Sequence, residues 1–203
     1  MKEMIQSLIF ALAYVSAQAE ANSWMTMPME KGSTNVPCIS VFTEPGFRDG
    51  GGEIVTIIWP DGRAVWSTNG IAGGPPYFQA QLSAGAVKKF LDDPKQKNAY
   101  TNQQIQQHCN VAIDGDYSTI TIISTNGTFS LTSSHELFER GTNFVGMSFG
   151  MMLLQGQSRE EALSKEPASF LAFRQTWKDL RAGIQALLPS SGSEITNFTF
   201  SVR

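Results

Sequence analysis

What this chain lacks narrows it before any pattern does. Lys, Arg, Asp and Glu supply only 16% of its 203 residues, where about 25% is usual for a globular protein. The 15 basic side chains stand against 18 acidic ones, a net charge of −3. No positive field exists to grip a phosphate backbone, so nucleic acid is not an expected partner. Histidine occurs twice, as His108 and His135, which leaves few arrangements for general acid–base catalysis. Cysteine also occurs twice, and neither Cys-x-x-Cys nor His-x-x-x-His is present, so no zinc pattern exists. The nearest metal-like group is His108-Cys109 with Asp114 and Asp116. Counted as a calcium loop from Asp114, it puts Thr119 where glycine is required and Thr125 where a bidentate glutamate belongs. Neither a metal nor a cofactor is expected. Gly50-Gly51-Gly52 is followed by no Lys-Ser/Thr, so it is no phosphate cradle. A Gly-x-Ser-x-Gly nucleophile elbow is absent as well.

What is there begins with the leader. Met1-Lys2-Glu3 precedes an apolar run from Met4 to Val15, and Ala17-Gln18-Ala19 follows. This order of charged start, apolar segment and Ala-x-Ala site is that of a secretory signal peptide over residues 1–19. As a helix the run spans only about 18 Å, short of a hydrocarbon core of about 30 Å. No later segment offers a span, so the mature chain is expected to have none. The competing reading is a buried N-terminal helix, supported by Glu3, which offsets Lys2. Residues 20–35 have no clear period and read as an extended arm; 36–203 read as one domain. Export makes a Cys38–Cys109 disulfide the first reading of the two cysteines. Closing a loop of about 70 residues would stabilise the fold by roughly 4–4.5 kcal/mol. Two unrelated buried thiols are the alternative. Sequons at Asn126 and Asn197 are no more than composition produces by chance.

Val36 to Thr43 is β-branched and loosely alternating, a first strand. Glu53–Trp59 and Arg63–Ser67 flank Pro60-Asp61-Gly62, a turn with φ preset by proline and a left-handed position for glycine. Residues 44–52 and 68–77 read as loops, the second because Gly73-Gly74-Pro75-Pro76 admits no regular structure. Ser83 opens a helix carrying Val87, Phe90 and Leu91. A second hairpin joins Tyr117–Ser124 to Thr128–Ser133 through Asn126-Gly127, with Ile122 expected opposite Leu131 and Ser124 opposite Phe129. Ser133-Ser134-His135-Glu136 and Ser158–Glu161 read as capping boxes. Phe144 to Gln155, apolar nearly throughout, reads as a buried helix. The longest helix opens at Pro167 and carries Phe170, Phe173, Trp177, Leu180, Ile184 and Leu187 at spacings of 3 and 4. Ile195 to Val202 closes the chain as a strand. The expected class is α+β: a mostly antiparallel sheet built from two hairpins plus terminal strands, with helices packed on one face.

Two functional readings follow. In the first, the chain is an exported, non-catalytic binding or structural module of the periplasm or cell exterior. Its site would be the loops at 45–52 and 72–78 with the aromatics Trp59, Trp66, Tyr77 and Phe78, suited to a protein or carbohydrate surface. In the second, it is a small secreted hydrolase using His135 with Ser133 or Ser134 and a distant carboxylate. Ser and His adjacent on one helical turn point in different directions, which disfavours the second.

Overall fold

The computed structural model describes residues 36–44, 52–93, 116–125, 127–134, 136, 144–147, 150–153, 156–195 and 198. The leader, the 20–35 arm, Cys109, both histidines and both sequon asparagines lie outside them, as does most of the strand expected over Ile195–Val202. The chain divides into two compact units, Thr34–Thr196 and a second formed by Met1–Ser33 with Asn197–Arg203. Every element below belongs to the first.

Seven strands form one antiparallel sheet: β1 (Ile39–Glu44), β2 (Glu53–Ile58), β3 (Arg63–Ser67), β4 (Tyr77–Gln81), β5 (Tyr117–Ser124), β6 (Gly127–Ser133) and, after a separate pair described below, β9 (Ser193–Ile195). Their order across the sheet is β6-β5-β1-β2-β3-β4-β9. The class is α+β. β1 to β4 run as a meander, whereas β5 returns to the far side of β1 and carries β6 to the edge. The first strand is therefore central, flanked on both sides by Ile-bearing strands. At the opposite edge β4 pairs with β9.

The turn between β2 and β3 closes where the Gly62 amide donates to the Trp59 carbonyl at 3.0 Å and the Trp59 amide donates to the Arg63 carbonyl at 2.8 Å. Gly62 has φ +90°, and its carbonyl accepts from Leu82, so a Cβ there would run into that strand end. At the second turn the register differs from the expectation. Ile122 faces Phe129, Ile120 faces Leu131, and Ser124 faces Gly127. The pairing is two residues tighter, so Gly127 is the first strand residue rather than part of the turn. A shift of two keeps every side chain on its face, and the sorting of Ile120, Ile122, Phe129 and Leu131 to one side survives.

On that side, Ile39, Val41, Ile120, Ile122, Phe129, Leu131, Ala64 and Trp66 join one buried cluster with residues of two helices. These are α1 (Ala84–Asp92), through Val87 and Phe90, and α3 (Ala168–Leu187), through Phe170, Phe173, Trp177, Leu180 and Ile184. α3 starts directly after Pro167, whose own carbonyl accepts from Phe170 and Leu171; proline loses nothing there, since the first amides of a helix have no internal partner. The short helix α2 (Arg159–Ser164) is capped by Ser158 Oγ, which accepts from the Glu161 amide at 3.0 Å. The opposite sheet face is buried at its centre too, with Ile57 at 0% and Val65 at 5% exposure.

Three expectations are corrected. The segment read as a buried helix from Phe144 to Gln155 is a hairpin, β7 (Phe144–Met147) with β8 (Gly150–Leu153). Gly146 and Gly150 weaken a helix by about 1 kcal/mol each, and short apolar runs suit either structure. Glu136 does not serve a capping box on Ser133, which ends β6; its carboxylate turns to Arg181 instead. Cys38 is a free thiol rather than half of a disulfide. It lies in the main core at 4% exposure, and its Sγ donates to the Ile58 carbonyl at 3.4 Å. Burial pushes this thiol up to about 12, so it stays protonated and unreactive.

Candidate functional site

One end of the sheet gathers polar residues. β1, β3 and β6 finish there and β2, β4 and β5 begin there. The strand ends flanking residues 45–52, the loop 68–76 and the Ser134–Glu136 segment consequently share this end. Of the residues nominated from sequence, the described part of the 72–78 loop and Ser133 and Ser134 lie at this end, whereas Trp59, in the turn between β2 and β3, lies at the other.

Toward this end the inward rows change character. Ile39–Ile122–Phe129 and Val41–Ile120–Leu131 give way to Thr43–Ser118–Ser133. These three hydroxyl residues are only 4%, 2% and 1% exposed. Thr43 Oγ1 donates to the Ile71 carbonyl at 2.7 Å and lies 3.1 Å from Ser118 Oγ. Since the Thr43 proton goes to Ile71, Ser118 is the donor in that second contact. Buried hydroxyls satisfied this way cost little, whereas unpaired ones would each cost about 1–3 kcal/mol.

The loop from Thr68 to Pro76 is tied down at many points. Ser67 Oγ donates to the Gly74 carbonyl at 2.5 Å and accepts from the Asn69 amide at 3.0 Å. Asn69 Oδ1 accepts from the amides of Ile71 and Ala72 at 3.3 and 3.0 Å. The Gly73 amide donates to the Asn69 carbonyl and the Gly74 amide to that of Ile54. Gly73 and Gly74 take φ of +72° and +83°, and at Gly73 a Cβ would collide with the Ile54 carbonyl, so only glycine lets the loop lie against β2. The Pro75–Pro76 peptide is cis. From below, Arg181 of α3 sends Nη2 to the Gly70 carbonyl and Nε to Glu136 Oε1, both at 2.5 Å. The pair is mostly buried, at 13% and 19% exposure. Among the described residues Glu136 Oε2 and Trp177 Nε1 are buried without a hydrogen-bond partner.

Two tyrosine–glutamate pairs complete this end. Tyr117 donates to Glu44 Oε2 at 2.7 Å and Tyr77 to Glu53 Oε2 at 3.2 Å. Burial first, then the neighbouring carboxylate, raises both phenols above their ordinary range.

The aromatic group nominated from sequence is not one surface. Trp66 and Phe78 face each other across β3 and β4, their ring centroids 6.3 Å apart, and Trp66 belongs to the main core. Tyr77 alternates to the other face. Trp59 is covered by the Arg63 guanidinium, 5.0 Å above its ring. Trp59, Trp66 and Tyr77 are 7–8% exposed, so these three rings form no open platform for a sugar. Of the hydrolase set, Ser133 and Ser134 are 1% and 3% exposed and His135 lies outside the described residues. Among the described residues no cluster of His, Cys, Asp and Glu is suited to a metal ion.

Arg181, Glu136, Thr43 and Ser118 carry this end, and sequence reading named none of them in that role except Glu136, as a cap. The signal was present: in β1, β5 and β6 the inward alternation ends on a hydroxyl at corresponding positions. It becomes readable only when register is known. Among the described residues no helix is long and apolar enough to cross a membrane. The chain matches no family model, no curated protein and no solved structure.

Proposed function

We propose that this protein is an exported, non-catalytic binding module of the periplasm or cell exterior, and that its recognition surface is the loop-bearing end of the sheet. The observation that carries this reading is the Thr68–Pro76 loop. Its Thr68, Asn69, Ala72, Pro75 and Pro76 face solvent, while hydrogen bonds from β1, β3 and α3 fix its backbone. A surface loop ordered before it meets its partner loses little entropy on binding. With Trp59 and Trp66 buried, a protein partner is favoured over a carbohydrate. In this reading two hairpins and the terminal strands form a rigid support, with α1 and α3 as its covering layer on one face; their shared core supports that arrangement. Export rests on the leader alone, because Cys38 lends no disulfide to the argument. The burial of Ser133 and Ser134 weighs against the hydrolase, since a nucleophile must reach its substrate.

The test has two arms. The full chain, expressed in a secreting host, is fractionated and its N-terminus sequenced; a mature start at Glu20 is expected, and retention of Met1 would refute export. A photo-crosslinking residue is then placed at Ala72, with a control at Lys88 on α1. A discrete protein adduct at position 72 alone supports the binding surface. Equal labelling at both positions, or ester or glycoside turnover that His135→Ala abolishes, overturns it.

A further inference from the structure

We infer that Asn69 is a site of spontaneous, fold-assisted deamidation, which converts it to an aspartyl or isoaspartyl residue and adds a negative charge to the loop. Four observations converge on this residue. Asn69 faces solvent, so water reaches it. The next residue is Gly70, which brings no side chain of its own to hinder its nitrogen, and a Cβ built there would find only Gln185 Oε1, at 4.0 Å. Among the described residues that amide has no hydrogen-bond partner, leaving the nitrogen free to attack. The Asn69 side-chain oxygen, meanwhile, accepts two amide N–H groups, from Ile71 at 3.3 Å and Ala72 at 3.0 Å. An amide nitrogen cannot accept such bonds, so the atom facing Ile71 and Ala72 is Oδ1.

The reaction needs only water. The Gly70 backbone nitrogen gives up its proton to solvent as it bonds to Asn69 Cγ. Negative charge then collects on Oδ1, where the two amides already point, as donors do in an oxyanion hole. The Cγ–Nδ2 bond breaks, and Nδ2 takes a proton from solvent and leaves as ammonia. Water opens the five-membered imide at either carbonyl, giving the aspartyl or the isoaspartyl product. No redox change occurs. The rest of Asn69 is held for this chemistry by Ser67 Oγ on its amide and by the Gly73 amide on its carbonyl. The aspartyl product retains an acceptor for Ile71 and Ala72, now charged. The isoaspartyl product lengthens the main chain by one carbon just before Gly70, whose carbonyl Arg181 holds. Deamidation here does not depend on the proposed binding role, although it would alter the same loop irreversibly.

The test is peptide mapping of the native protein aged at mildly alkaline pH, beside the proteolytic peptide that spans residues 64–88 under identical conditions. Conversion at position 69 is expected about tenfold faster in the folded chain, equivalent to a barrier lower by about 1.4 kcal/mol. Gly70→Ala, whose methyl enters open space, is expected to keep the fold and slow the reaction. Conversion in the folded chain no faster than in the peptide, or unchanged in a folded Gly70→Ala variant, would overturn the inference.

Discussion

Replacing Arg181 by methionine tests whether the loop-bearing end is held from inside. The substitution keeps much of the aliphatic stem and removes the guanidinium, which spans Glu136 and Gly70. Removing one partner of a fully buried ion pair costs about 3–5 kcal/mol, because the other charge is left in low dielectric without compensation. Here Arg181 and Glu136 keep 13% and 19% exposure, so water recovers part of that loss. The second oxygen of Glu136 already has no partner among the described residues, and the variant would strand the whole carboxylate. A cost of about 2–3 kcal/mol follows, or a fall in melting temperature of roughly 5–10 °C for a domain of this size. Urea titration reads it as a lower midpoint at constant m. Adding Glu136→Leu to the variant should restore part of the loss, since it removes the stranded charge; this coupling is the sharper readout. Lys88→Met provides the contrast: its pair with Asp92 is 78% and 63% exposed, and such pairs contribute about 0–0.5 kcal/mol. If Arg181→Met costs as little as Lys88→Met, or if the two changes simply add, the guanidinium is not what holds the loop.

Other perturbations follow from the same structure. Phe173→Ala, at 0% exposure in the core, should cost about 3–5 kcal/mol by calorimetry, while Leu171→Ala on the same helix, at 37%, should stay within about 0.5 kcal/mol. Gly62→Ala should lower the midpoint more than Gly127→Ala. Both have positive φ, but only at Gly62 would the methyl strike the Leu82 carbonyl, whereas nothing lies within 4 Å at Gly127. Cys38 should resist a thiol reagent until the protein unfolds. Its buried thiol titrates at about 12 against an ordinary 9.0, so between those values only the unfolded state gives up the proton. Stability should therefore be intact below pH 9 and fall as pH rises toward 12, with a slope approaching about 1.4 kcal/mol per unit; Cys38→Ala should flatten that slope.

Elements were legible where two levels of sequence information agreed. Periodicity and a start signal both mark α3, and alternation and turn chemistry both mark β2 and β3. That agreement fixes faces and not register, because a shift of two residues preserves the alternation. Asn126-Gly127 advertises a two-residue turn, yet Ser124 pairs with Gly127; the turn's strong local signal misplaced the register by two. β4 has no strand signal in its sequence, and its first residue, Tyr77, falls in the segment expected as a loop. Gln79, Ala80 and Gln81 are weak strand formers, and this strand exists because β3 and β9 flank it. The 144–153 hairpin had composition but no period to separate strand from helix.

The site was harder to read than the fold, for a physical reason. Trp59, Trp66, Tyr77 and Phe78 lie close in sequence, and closeness suggested a patch. A strand sends successive side chains to opposite faces, and a turn reverses the chain, so neighbours in sequence were divided between the core and the other side. The residues that do meet are far apart: Thr43 with Ser118, and Arg181 with both Gly70 and Glu136. Each is ordinary alone, a hydroxyl at a strand end or an arginine late in a long helix. Only the topology, which puts β5 against β1 and lays α3 beside the loop, turns them into a support. The loop over 68–76 and the strand ends flanking 45–52 share one end of the sheet, because glycine, proline and serine concentrate where strands stop. That composition identifies the places where the chain turns, and the recognition surface proposed above is assembled from such places.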